Sequence, residues 1–177
     1  TFRGVVGVKG QFGTGWDWSA ALNWGRNTGV DGSDNVANLD RVDQTLDRSI
    51  CSPGPGAAIP CGDYLGYGDL SREVLDYILY SSRDTGGNEQ KSFTANLSGQ
   101  IFELPAGWVG FATGVEVRKE RGWRNPDPLT VLGIGNTNQQ DPIAGEYTAK
   151  EVFAELAIPL LQDSVIADSL YLNLAGR

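Results

Sequence analysis

The chain has 177 residues, 40% of them hydrophobic, a formal net charge of −8, and neither histidine nor methionine. That apolar content excludes disorder of the whole. The acidic balance argues against a nucleic-acid partner, and the missing histidine excludes histidine-based acid–base chemistry and histidine-ligated metals.

Residues 2–12 predict a first strand, with Phe2, Val6, Val8 and Phe12 on one face and Arg3, Lys9 and Gln11 on the other; Val5 breaks the second face. Gly13-Thr14-Gly15 is a hairpin turn signal. The second strand, to about Asn27, alternates sharply. Trp16, Trp18, Ala20, Leu22 and Trp24 share one face, against Asp17, Ser19, Ala21, Asn23 and Gly25. A period of two sends each class to its own side of a sheet.

A long connection follows, about residues 28–87. Loops of that length count against a compact soluble domain unless they serve a function. Ten acidic side chains against four arginines give this stretch a net charge of −6. It is read as a solvated outer loop, or as a mouth that repels anions and favours neutral or cationic ligands. Cys51 and Cys61 bracket a segment with three prolines and two glycines. Such a segment cannot be helical and suits a stapled loop, so a disulfide in an oxidising compartment is expected, with two free thiols as the alternative. No other cysteine or histidine could complete a soft metal site. Asp31, Asp34 and Asp40 do not have EF-hand spacing. No metal and no cofactor is predicted. Residues 70–80 predict one short helix, capped by Asp69 or Ser71, with Val74, Leu75 and Ile78 lining one face.

The third strand is expected over residues 88–104. It places Phe93, Ala95, Leu97, Gly99 and Ile101 opposite Thr94, Asn96, Ser98 and Gln100. Pro105-Ala106-Gly107 turns the chain into a fourth strand to about Trp123. There Val109, Phe111, Thr113, Val115 and Val117 oppose Gly110, Ala112, Gly114, Glu116 and Arg118. A second long loop, residues 124–146, leads to a fifth strand over 147–161, with Val152, Ala154, Leu156, Ile158 and Leu160 on one face. After a medium turn at residues 162–168, a sixth strand starts at Ser169. The chain opens and stops within this pattern and is expected to be cut from something longer.

Short and long connections alternate, and the apolar face is matched by a wet one. This predicts an all-β fold: an antiparallel up-and-down transmembrane β-barrel segment of about six strands, with long extracellular loops, one carrying a short helix. Trp16, Trp18, Trp108, Trp123 and Tyr147 near strand ends fit interfacial girdles. Leu22, Trp24, Phe93, Leu97, Phe111, Val115, Leu156 and Ile158 are expected to face lipid. Asn96, Gln100, Glu116, Arg118, Glu151 and Glu155 are expected to face a lumen. Carboxylate pairs such as Glu151 and Glu155 read as solvated wall and not as a glycosidase pair, so no catalytic residues are predicted and the chain is not read as an enzyme. The rival readings are a soluble secreted β-sandwich or adhesin-like binding module with a dry interior, and a lipocalin-like carrier.

Residues 70–78, 114–120 and 151–161, with the closing Leu172-Asn173-Leu174-Ala175-Gly176-Arg177, resemble the barrel of TonB-dependent outer-membrane receptors of the large proteobacterial type. In strand spacing the resemblance covers nearly the whole chain. It implies location in the bacterial cell outer membrane and a 22-stranded barrel with an N-terminal plug. It also implies import of a scarce small-molecule nutrient (siderophore, saccharide or peptide) with energy from the TonB complex. The expected partners are outer-membrane lipid, the substrate, and the TonB complex through parts of the receptor outside this chain. Residues 1–177 would then be part of one barrel domain, without the plug and the remaining strands.

Overall fold

The computed structural model describes residues 1–66 and 70–177. The fold is all-β. One six-stranded antiparallel sheet follows chain order and does not close on itself. Its strands are β1 (Phe2–Phe12), β2 (Trp16–Ala37), β3 (Leu79–Leu104), β4 (Gly107–Asn125), β5 (Ile143–Gln162) and β6 (Ser169–Gly176). Three short helices lie in the long connections: α1 (Leu39–Leu46), α2 (Arg72–Ile78) and α3 (Pro128–Leu132). The chain divides into two compact units. Unit 1 holds residues 1–27, 88–122 and 145–177; unit 2 holds residues 28–87 and 123–144.

Unit 1 is a sheet with two unlike faces. Pairing of β1 with β2 sets Phe2, Gly4, Val6, Val8, Gly10 and Phe12 opposite Arg26, Trp24, Leu22, Ala20, Trp18 and Trp16. Directly opposed residues share a face, so this is the apolar side. Arg3, Val5, Gly7, Lys9 and Gln11 meet Gly25, Asn23, Ala21, Ser19 and Asp17 on the other side. At the far edge, Leu156 and Ile158 pair with Leu174 and Leu172. A register shift between Pro159 and Leu161 sets Leu161 opposite Leu170. The extra residue of the bulge therefore passes the apolar register from Leu160 to Leu161. Among the described residues of this unit the buried apolar side chains are Val109 and Pro159, whereas Val6, Leu22 and Val8 are 71%, 60% and 58% exposed. A dry interior between two sheets, the mark of a sandwich, is not found among the described residues.

Unit 2 has a small core of its own, with Val36, Val74, Ile78, Thr45 and Thr130 buried. Asn38 caps α1 by accepting from the Arg41 amide at 3.1 Å, and its own amide donates to the Ile78 carbonyl at 2.8 Å. Ser71 caps α2 through the Val74 amide. Helices α1 and α2 pack together: the Arg41 guanidinium donates to the Tyr77 carbonyl at 2.8 Å and lies 5.3 Å from the Tyr77 ring centre, and the Tyr77 hydroxyl donates to Gln44. Cys51 and Cys61 form a disulfide. That loop is tied back to α1 by the Gly62 amide on the Thr45 carbonyl at 2.9 Å and by the Thr45 and Tyr64 hydroxyls, 2.7 Å apart.

Several sequence boundaries need correction. The second strand runs ten residues past Asn27, and the third begins at Leu79 and not at residue 88. The connection between them is therefore shorter than expected. Residues 79 and 80, placed at the end of the helix, belong to β3, and α1 and α3 were not anticipated. Of the two capping candidates Ser71 is the one seen; Asp69 lies outside the described residues.

Candidate functional site

The polar face of unit 1 is organised by hydrogen bonds that cross from strand to strand. Arg3 of β1 donates to Asn23 of β2 at 3.0 Å, and Asn23 donates to Ser92 of β3 at 3.5 Å. Asn96 of β3 donates to Ser19 of β2 at 3.2 Å. Gln90 of β3 donates to Glu120 of β4 at 3.3 Å. From there the contacts become ionic. Arg118 lies 3.2 Å from Glu120 and 3.5 Å from Glu116, and Arg177 bridges Glu116, at 2.9 Å, to Glu151 of β5. Alternation brought these side chains to one side, where opposite charges along β4, and Arg177 reaching across from the end of β6, hold one another.

Of the residues singled out from sequence, Asn96, Glu116, Arg118 and Glu151 are joined in these contacts. Glu155 is paired in register with Ala175 and lines a groove of about 340 Å³ with Ser98, Ala157 and Asn173. Gln100 shares the face by alternation and stands apart from the network. The eight apolar positions follow the opposite parity. Leu22, Trp24, Leu156 and Ile158 are fixed there by register. Phe111 is fixed by the edge-on Trp16 ring at 6.3 Å. Phe93, Leu97 and Val115 follow by alternation along β3 and β4.

Sequence reasoning gave no role to Phe153 or Arg177, and it placed Tyr147 in an interfacial girdle. Phe153 lies between Glu151 and Glu155 at matching parity, so period two already put it on the polar face; its ring fills the space beside Gly114. Tyr147 lies against Glu120 and Arg118 on the polar side, which removes it from the expected aromatic girdle. Two aromatic rows remain on the apolar face. Phe2 meets Trp24 edge-on at 5.2 Å, and Phe12 stacks on Trp16 at 6.1 Å.

A concavity of about 520 Å³ at the Tyr147 end of the sheet is lined from the polar side by Arg3, Asn27, Asn88, Gln90, Glu120 and Tyr147, and also by Phe2, Arg26, Glu89 and Arg121 of apolar-side parity. A second, of about 460 Å³, is bordered by Lys9, Gln11, Asp17 and Asn96. Amide, guanidinium and carboxylate groups with an aromatic ring at hand are suited to holding a polar solute by many weak hydrogen bonds. No cluster of metal-ligating side chains is found among the described residues.

Charge is divided unevenly. By sequence, unit 2 carries twelve acidic against five basic side chains, and unit 1 ten against nine. Unit 2 thus holds nearly all of the chain's net negative charge.

No protein-family model matches the chain, and no curated protein or solved structure matches it either.

Proposed function

We propose that the chain is a section of the wall of a TonB-dependent outer-membrane transporter, a ligand-binding importer and not an enzyme. One observation carries this reading: an uncovered apolar face lies between two aromatic rows, opposite a face of cross-strand hydrogen bonds. From Phe2 to Phe12 the strand advances roughly 33 Å, which at a tilt of about 40° covers roughly 25 Å, the height of the apolar band of a transmembrane barrel. In hydrocarbon every backbone group must be paired, so the free edges of β1 and β6 call for further strands to complete a closed wall. Six strands alone cannot enclose such a lumen.

In this reading the polar face looks into the lumen, and its amide, guanidinium and carboxylate groups contact the solute. The acidic character of unit 2 favours neutral or cationic cargo, such as a saccharide, a peptide or a cationic complex, over a free anion.

The test is the state of the purified chain with and without detergent. Strand content and a single dispersed species are expected only with detergent or lipid. A folded, dispersed chain in plain buffer overturns the proposal.

A further inference from the structure

At one end of the apolar face, the end away from the turns at residues 13–15 and 105–106, the side chains change character within one row. Arg26 is the register partner of Phe2 and so stands on the apolar side, two residues beyond Trp24. Glu89 pairs with Lys91 at 2.7 Å and lies within electrostatic reach of Arg26 and Arg121. Lys119 meets Glu146 at 2.9 Å, and Arg121 lies near that same carboxylate. Alternation from Ala154 adds Lys150, which forms no ion pair among the described residues. Five basic side chains face two acidic ones, so this belt is net positive in a chain of net charge −8. The opposite end of the same face, beside Phe12 and Trp16, carries only Glu103 at apolar-side parity and no basic residue.

We infer that this belt is a docking surface for phosphate-bearing lipid headgroups in one leaflet. The inference rests on the membrane reading above and adds a specific partner to it. The placement supports it, because the belt sits where the hydrocarbon band ends, at the depth of headgroups. The composition supports it too. Two glutamates tie the belt together across β3, β4 and β5 but leave it with a net positive charge, which suits a phosphate monoester. A row meant only to be solvated has no need of excess charge of one sign, or of confinement to one rim.

The experiment places the whole chain in phosphatidylcholine bilayers containing either brominated phosphatidylcholine or brominated phosphatidic acid, and reads quenching of tryptophan fluorescence. Trp24 lies beside the belt. A basic side chain near an anionic surface contributes roughly a fivefold preference, so an excess of three should favour phosphatidic acid on the order of a hundredfold. The Lys91→Gln, Lys119→Gln, Lys150→Gln triple variant should bring the ratio close to one, and the Glu89→Gln, Glu146→Gln variant should raise it. Equal quenching by both lipids in the unaltered chain overturns the inference while leaving the membrane reading intact. So does a preference that survives in the triple variant, or one abolished by excess inorganic phosphate, which would mark a site for the free ion. Quenching by neither lipid overturns the membrane reading itself.

Discussion

The Phe153 ring fills the space that a side chain at Gly114 would need: a Cβ there would lie 2.5 Å from Phe153 Cζ and 2.6 Å from Asn96 Oδ1. The three residues come from β5, β4 and β3, so this contact fixes how three neighbouring strands stack their polar-side groups. Overfilling such a site forces side chains off their rotamers at about 1–3 kcal/mol. Gly114→Val is expected to lower stability by that amount, read as a shift in urea midpoint for the detergent-solubilised chain. A companion Phe153→Ala substitution should relieve most of the clash, so the double variant should be less destabilised than the two single effects combined.

The identity of the medium on the apolar side can be tested at the pair Val6 and Leu22, which face one another midway between the two aromatic rows. An arginine at the centre of a bilayer costs about 2–4 kcal/mol on the lipid side of a barrel and little on the lumen side. Leu22→Arg should therefore weaken folding into vesicles by that amount, whereas Ala21→Arg, one residue away on the polar face, should be near neutral. Equal effects at the two sites would contradict the assigned orientation.

The parts of the fold that were legible in the sequence are those where the two faces of the sheet differ in polarity. In the first part of β2, Trp16 to Trp24 alternate without a break, and the register with β1 bears out the faces read from that pattern. The continuation of β2, through Asp31, Gly32, Ser33 and Asp34, has no such signal. It is held by pairing and by contacts such as Ser81 with Asp34 at 2.6 Å and Arg83 with Asp34 at 3.0 Å, which period two does not encode. Helix α3 did leave a trace: Asp127 caps it, Pro128 opens it, and Gly133 closes it at a φ of 73°, where glycine is favoured. Only five residues lie between these signals, too few for a helical apolar period to stand out. On the polar face, alternation gave the side for Glu116, Arg118 and Glu151, but Arg177 as their bridge depends on the β5–β6 register.

The Cys51–Cys61 bond should act locally. In the chain-entropy account, closing a loop of about ten residues stabilises it by about 2–3 kcal/mol. Its effect falls on the segment fastened to α1 through Thr45. Reduction, or the Cys51→Ser, Cys61→Ser pair, is expected to expose residues 47–65 to protease while leaving strand content unchanged by circular dichroism. Loss of the sheet signal on reduction would show that the staple supports more than its own loop.

Acid should loosen unit 2 at a defined point. Asp84, in the part of β3 belonging to that unit, accepts from the Asp127 amide at 2.9 Å and from Arg124 at 2.7 Å. The hydrogen bond from the Asp127 amide, followed by that from Arg124, holds the Asp84 carboxyl below its ordinary range. Asp127 in turn caps α3 through the Leu129 amide at 2.9 Å and accepts from the Arg83 amide at 3.1 Å, so the start of α3 depends on this anchor. A carboxylate with a depressed folded-state pKa contributes stability that is fully present above its unfolded value, near 3.9. That contribution is lost as pH falls through the lower folded value. Asp84→Asn should reproduce the acid effect at neutral pH at a cost of about 1–2 kcal/mol, the range for a partly exposed hydrogen bond to a charged group. The Asp127 amide resonance, followed by NMR through an acid titration, should move toward its unbonded position below pH ~4 in the unaltered chain and already lie there in the variant. An Asp127 resonance that ignores both changes would show that α3 is held by other contacts, with the Asp84 carboxylate a bystander.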